Sequence, residues 1–512
     1  MTVFILVAGA FTGPHVWRDT AARLAAKGAE VHTAALTGLG GPPAAPGGAI
    51  DLETHIADVL SVIDQVTAHS GKEVVLVGHD YGIHPALGAA DRRARSIARI
   101  VHLDAGMPQD GVPALAAVPD RRLREQLSER AAQAGPGAAA GEVPPPAKEE
   151  WPLWGSTAGL LDAALDGLTA LAAPQPLGTL LQPLRLTGAL TAVPVTGVLC
   201  TGSGASIEML QIRVDVGDPA LQALADPRVT LFELPTGHWP MLSGPAELAD
   251  VLIEAAAGGG HRLTAADADH PPAHLRPFLL DVPDLPRERT GNTDLYLPEG
   301  PGPHPAAVFV HGGPVPIGAR PTPRDWPTLT GYARYVVGHG VVGVTLDHRL
   351  HDVTDYERAA EDVAAAVERV RADPRVDADR VALWFFSGGG PLTADWLAAP
   401  PAWLRCLAAN YPILSPLPNW GPLDARFHPV RAVARAGRLP IVLVRAGREM
   451  AEIAATVEEF LTEAERRGAD VEVIDVPDGR HGFETLDATD DARAAVRRAV
   501  DAVVARLSLS SI

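Results

Sequence analysis

Short apolar runs alternate with stretches of helical periodicity along most of the chain. Val3–Val7, Val31–Leu36, Val74–Val77, Ile100–Asp104, Val193–Thr201 and Val229–Pro235 read as buried strands, and Leu52–His69 and Pro245–Ala257 as helices. Strand followed by helix in strict alternation predicts a parallel sheet with right-handed crossovers. The alternation stops at Met107 and resumes near Ala192. Within that gap, helical stretches at Leu115–Ala134 and Ser156–Leu171, with a low-complexity segment at Ala131–Pro146, predict a helical lid over the sheet edge.

Gly258-Gly259-Gly260 opens a polar stretch to Pro272 that reads as a flexible linker. The pattern then restarts. Phe278–Val282 and Asn292–Leu297 suit antiparallel pairing, and Ala306–Val310, Val341–Asp347, Val381–Phe386, Cys406–Tyr411, Ile441–Ala446 and Val471–Val476 read as further strands. The expected architecture is α/β, with two tandem domains of the same kind. They span about 1–257 (lid about 107–192) and 273–512, joined by the linker 258–272, and each is a mostly parallel sheet flanked by helices.

Composition narrows the partners. At 47% hydrophobic and 21% charged, the 512 residues suit a soluble chain with large cores. A net charge of −19 argues against nucleic acid or an anionic membrane, which leaves a small-molecule partner as the expectation. No apolar stretch approaches the roughly 18 residues of a membrane span. Val3–Val7 is too short for a signal sequence and follows no basic residue. Cys200 and Cys406, far apart in apolar runs, suggest neither a disulfide nor a zinc site. A reduced, cytoplasmic chain without cofactor or metal is expected, its oligomeric state left open.

The candidate chemistry lies at two turns. Val74–Val77 runs into Gly78-His79-Asp80-Tyr81-Gly82 and the helix-favouring Ile83–Ala90, the shape of a nucleophile elbow with aspartate in the reactive slot. About three hundred residues later, Val381-Ala382-Leu383-Trp384-Phe385-Phe386-Ser387-Gly388-Gly389 repeats the shape with serine.

A serine hydroxyl needs a base, an orienter for that base and donors for the oxyanion. His481 (in Gly479-Arg480-His481-Gly482-Phe483) and Glu449 (after Ile441–Ala446) follow Ser387 in the order serine, acid, histidine. His311-Gly312-Gly313 offers the Gly313 N–H, joined by that of Gly388, whereas Pro314 can donate nothing. On the His-Gly-Gly turn, the Ser-Gly-Gly elbow and the His-Gly-Phe ending, Phe278–Leu507 resembles the dienelactone-hydrolase and acetyl-esterase-like α/β-hydrolases. The resemblance implies a serine esterase-like site. Phe385 stands where a glycine is usual and is expected to strain the turn or shift its packing, and Glu449 stands where aspartate is commoner.

Through Ala10-Phe11-Thr12-Gly13, Leu103-Asp104-Ala105 and Gly237-His238, Val3–Ala257 resembles the methylesterase and hydroxynitrile-lyase-like α/β-hydrolases. Ala8 replaces the usual histidine, Asp80 replaces serine, and Gly202-Ser203 stands where the triad acid is sought. A carboxylate attacking an ester carbonyl gives a mixed anhydride from which it leaves again more readily than an alkoxide, so ester hydrolysis through Asp80 is not expected. Displacement at an sp³ carbon gives a stable alkyl ester instead, the strategy of the epoxide hydrolases and haloalkane dehalogenases that these residues also resemble. On that resemblance, Tyr81 and either Ala10 or Phe11 supply N–H donors to the Asp80 carbonyl, and His238 activates water. Asp104 is the first choice of acid for His238, and Glu208 the second. An epoxide, protonated by the Tyr81 hydroxyl or a lid Trp, Ser or Thr, is placed ahead of a halide held by Trp151 and Trp154. The competing reading keeps one half catalytic, as a serine esterase, lactonase or aspartate hydrolase, and makes the other a degenerate binding or scaffold domain.

Overall fold

The computed structural model describes residues 2–41, 49–134, 141–215, 221–264, 271–417, 420 and 423–508. Parts of the Gly/Pro loop after Gly38, of the low-complexity lid segment and of the expected linker therefore lie outside the described residues. The chain divides into two compact units, one formed by Met1–Val214 with Ala220–Ala265, the other centred on Ala266–Ile512.

The first unit is built on β1 (Val3–Val7), β2 (Glu30–Ala34), β3 (Val74–His79) and β4 (Ile97–Leu103). After β4 a short pair, β5 (Glu142–Val143) and β6 (Gln175–Pro176), lies in the lid, and β7 (Val195–Cys200) and β8 (Val229–Leu234) follow. Six of these form one sheet in the order β2-β1-β3-β4-β7-β8, every pair parallel. Every residue of β1 and β3 is buried, as continuous apolar runs in a sheet covered on both faces must be. The lid helices are Arg121–Ala134 and Asp162–Leu171, both starting later than their apolar patterns. At the first, Pro119 disfavours helix before it and Asp120 caps the start by accepting the Leu123 N–H at 2.7 Å. The front of the expected linker is held rather than free, because His261 exchanges two backbone hydrogen bonds with Leu231 of β8, at 2.7 and 2.9 Å.

The second unit carries β9 (Glu288–Thr290), β10 (Thr293–Tyr296), β11 (His304–Val310), β12 (Val342–Leu346), β13 (Val376–Phe386), β14 (Leu404–Asn410), β15 (Ile441–Arg448) and β16 (Val471–Arg480). Their order is β16-β15-β14-β13-β11-β12-β10-β9. Pairing is parallel from β16 to β12, and β10 runs antiparallel to β12 and β9. The strand expected at Phe278–Val282 does not form. Pro277 and Pro283 bracket it and remove ladder donors, and Leu280 instead packs into the core beside Tyr332. β9 takes its place. Side chains alternate across the sheet: Val308, Val310, Leu383 and Phe385 join one core, and Phe309, Trp384 and Phe386 the other. Both sheets realise the expected α/β architecture. Among the described residues, no helix is long and apolar enough to cross a membrane, and no group of His, Cys, Asp and Glu side chains could hold a metal ion.

Candidate active sites

In the first unit, Asp80 turns β3 into the helix Ile83–Arg92 with φ 48°, a left-handed backbone that ordinary side chains avoid. The Ala10 N–H donates to Asp80 Oδ2 at 3.0 Å, and Oδ1 lies 3.8 Å from His238 Nε2. His238 Nδ1–H in turn donates to Asp104 Oδ2 at 2.7 Å. The same carboxylate accepts the Cys200 N–H at 3.0 Å and the Ser203 hydroxyl at 2.7 Å. Burial works against ionisation of Asp104, but these three donors outweigh it and hold its pKa below the usual range. At His238, burial opposes the charged form too. The hydrogen bond and charge of Asp104, with the charge of Asp80, reverse that and leave its pKa raised.

Asp80, His238 and Asp104 are thus brought together, and the His238 Nδ1–H goes to Asp104, whereas Glu208 is exposed in the helix Ile207–Asp215. Of the alternatives Ala10 and Phe11, the structure leaves Ala10. The Phe11 N–H is taken by Gln175 Oε1 at 3.0 Å, so Ala10 alone of that pair faces Asp80. The Tyr81 hydroxyl is a correction. His55 Nε2–H donates to the Thr37 carbonyl at 2.8 Å, which makes its Nδ1 the acceptor for Tyr81 O–H at 2.7 Å and removes that proton from the site. The Trp151 indole is committed to Thr169 Oγ1 at 2.9 Å. Trp154, edge-on to Phe11 at 4.5 Å, and Trp239, edge-on to His238 at 4.8 Å, have no hydrogen-bond acceptor among the described residues.

Two further residues hold the base in place. His79 Nε2–H donates to the His238 carbonyl at 2.7 Å, while burial, then the neighbouring His238, pushes the His79 pKa down to about 4 and keeps it neutral. Gly155 of the lid lies flat on the His238 ring, where a Cβ would sit 2.4 Å from Cγ. A histidine inside the apolar elbow strand was the visible signal for the first. Nothing local marked Gly155 or Gln175.

In the second unit, Ser387 occupies the equivalent turn with φ 50°. Its Oγ–H donates to His481 Nε2 at 2.6 Å, and His481 Nδ1–H donates to Glu449 Oε2 at 2.8 Å. Glu449 Oε1 accepts the Met450 N–H at 2.9 Å, which aims the carboxylate. Ser387, Glu449 and His481 therefore converge. The turn after β11 packs on the elbow: a Cβ on Gly312 would lie 2.9 Å from Ser387 Cβ, and one on Gly388 2.0 Å from the Gly313 carbonyl oxygen. Among the described residues nothing accepts the Gly313 N–H.

Of the two outcomes expected of Phe385, the structure shows the change of packing. In the first elbow a Cβ on Gly78 would meet Ile83 Cα at 2.5 Å. The second reverses the assignment, with the bulky Phe385 two residues before the reactive position and Gly390 three residues after it. Phe385 is fully buried in the core that includes Val363.

Register relates the two acids. His79 pairs with Leu103 and Phe386 with Asn410, so Asp104 and Tyr411 hold the same position, at φ 42° and 35°. Leu103 pairs with Val198 and Asn410 with Val444, and five residues beyond these stand Ser203 and Glu449. The first unit places its acid after β4 and the second after β15.

A carbendazim hydrolyzing esterase from Nocardioides sp. (strain SG-4G) is 33% identical over 253 residues, which is 49% of this chain and 98% of that protein. Among solved structures, an extracellular α/β-hydrolase from a Paenibacillus species covers 50% of this chain and 99% of its own, at 20% identity and a TM-score of 0.39. Thermogutta terrifontis esterase 2, phosphoramylated by tabun, covers 45% and 96%, at 18% identity and a TM-score of 0.36. Residues 4–251 match the alpha/beta hydrolase family, and with the near-complete coverage of its curated relative the chain belongs to that family.

Proposed function

We propose that the chain is a two-site hydrolase of small organic molecules, with a serine esterase-like site at Ser387 and a covalent aspartate site at Asp80. One observation carries this reading. Two strained turns, φ 48° at Asp80 and 50° at Ser387, each face their own histidine–carboxylate pair.

At Ser387, His481 takes the hydroxyl proton as oxygen attacks an acyl carbon, and Glu449 stabilises the imidazolium. Gly313 and Gly388 N–H stabilise the oxyanion. His481 then returns the proton to the leaving alcohol, and water repeats the sequence to free the acid.

At Asp80, Oδ1 attacks an sp³ carbon and the leaving group departs with the bonding pair. His238 next deprotonates water, which adds to the Asp80 carbonyl carbon, and Ala10 and Tyr81 N–H take the charge on Oδ2. Collapse of that intermediate expels the alkoxide oxygen, which takes the proton back from His238 to leave as the alcohol, and the Asp80 carboxyl gives its remaining proton to solvent. With the Tyr81 hydroxyl committed to His55, an epoxide lacks the proton donor first expected for it. The indole N–H groups of Trp154 and Trp239 favour a carbon whose substituent leaves as an anion.

One observation favours a second reading of the first site: residues 4–251 match the alpha/beta hydrolase family, and a relative 33% identical over 253 residues is named an esterase. There Asp80 would be a general base for direct water attack on an ester. Assay of the full chain, Ser387→Ala and Asp80→Asn against an aryl ester, styrene oxide and a primary bromoalkane tests the proposal. Ester turnover should vanish only in Ser387→Ala, and turnover of an sp³ electrophile only in Asp80→Asn. Loss of ester turnover in Asp80→Asn would support the second reading.

A further inference from the structure

The two units hold one peptide plane by different means. A trans peptide points its carbonyl and its N–H in opposite directions, so fixing the carbonyl aims the N–H. In the second unit His311 Nδ1–H donates to the Gly312 carbonyl at 2.5 Å. Its Nε2 accepts the His348 N–H at 3.3 Å, so the imidazole is neutral with the proton on Nδ1. That bond fixes the Gly312–Gly313 peptide plane where the turn packs on the elbow, a Cβ on Gly312 lying 2.9 Å from Ser387 Cβ.

The first unit has Ala8 in place of His311 and can make no such bond. Its Gly9 carbonyl accepts instead from Thr12, through Oγ–H at 2.9 Å and N–H at 3.3 Å, and the opposite edge of that peptide is the Ala10 N–H on Asp80 Oδ2. Thr12 is 1% exposed, so water does not compete. The position equivalent to Thr12 is Val315, which has no hydroxyl and sends its N–H to the Leu350 carbonyl. Histidine with valine in one unit is matched by alanine with threonine in the other.

We propose that Thr12 is a positioning residue of the first site, which aims the Ala10 N–H at Asp80 Oδ2 as His311 aims that of Gly313. The kinetic part rests on the covalent reading of Asp80; the structural part does not. During attack on the sp³ carbon, Oδ2 keeps at most its original charge, whereas water attack on the alkyl-enzyme places a full oxyanion there. Loss of aim should therefore slow the second step more than the first.

The test uses the full chain as Thr12→Val, which keeps the shape and removes the hydroxyl, and Thr12→Ser, which restores it. Exchange of the Ala10 amide, followed by NMR with ¹⁵N-alanine, should be about tenfold faster in Thr12→Val and near wild type in Thr12→Ser, the scale of one lost hydrogen bond. With a primary bromoalkane as probe, the Asp80 adduct should accumulate in Thr12→Val with His238 intact, its breakdown slowed about tenfold or more, and not in Thr12→Ser. Unchanged Ala10 exchange in Thr12→Val overturns the inference. Faster exchange with no adduct in any variant, His238→Gln included, overturns the covalent reading while the positioning role stands.

Discussion

Ser203 donates its hydroxyl proton to Asp104 Oδ2 at 2.7 Å from the very position that Glu449 holds in the second unit. The acid of the first site has moved one strand, and the vacated place holds a donor that keeps the relocated carboxylate ionised. His238 acts as a base only when neutral, and its pKa is raised above 6.5. Turnover at Asp80 should therefore rise with pH through a midpoint above that value. Asp104→Asn removes the charge and the charge-assisted bond that do most to raise it, leaving burial opposed by the Asp80 charge alone. The midpoint should move to lower pH while the plateau falls about 10²–10⁴-fold. Ser203→Glu in that background should recover part of the loss; a pH profile unmoved by Asp104→Asn would refute the pairing.

Ser387 should be the residue labelled by a fluorophosphonate probe. The label should vanish in Ser387→Ala, and labelling of Glu449→Gln should slow about 10²-fold or more through loss of the His481 orienter. Labelling that persists in Ser387→Ala would remove Ser387 as the nucleophile.

Gly155→Ala puts a methyl group into the His238 ring. The ring must shift, and a displacement near 1 Å costs on the order of 10²-fold in turnover at Asp80. Circular dichroism and Ser387 labelling should be unaffected. Wild-type turnover in this variant would mean that the lid does not rest on the base.

Phe385 is core rather than a flaw in the elbow. Phe385→Ala should destabilise the second unit by about 3–5 kcal/mol, measured by urea denaturation, while Ser387 remains reactive below the transition. A variant as stable as wild type would contradict its place in the packing.

How far the sequence carries depends on the distance over which each feature is decided. Continuous apolar strands and the turns at Asp80 and Ser387 are local, and all are legible. Asp104 was reachable because it ends the strand beside the elbow strand. The choice of Ala10 over Phe11, and the loss of the Tyr81 hydroxyl as a donor, are not legible for a non-local reason: the partners Gln175 and His55 lie 164 and 26 residues away and compete for the same atoms. Phe278–Val282 has the apolar content of a strand, yet its flanking prolines decide against the ladder. Gly155 shows nothing in the sequence, since its importance arises only when the lid folds onto His238.

The central claim is that Asp80 itself joins the substrate. Single turnover with Ser387→Ala in excess over a primary bromoalkane, run in ¹⁸O water, tests it most directly. Because water would attack the Asp80 carbonyl carbon, the alcohol of the first turnover should carry unlabelled enzyme oxygen and the label should appear in Asp80, with a mass adduct trapped in His238→Gln. Alcohol fully labelled in the first turnover, with no adduct in His238→Gln, would contradict the account and make Asp80 a general base.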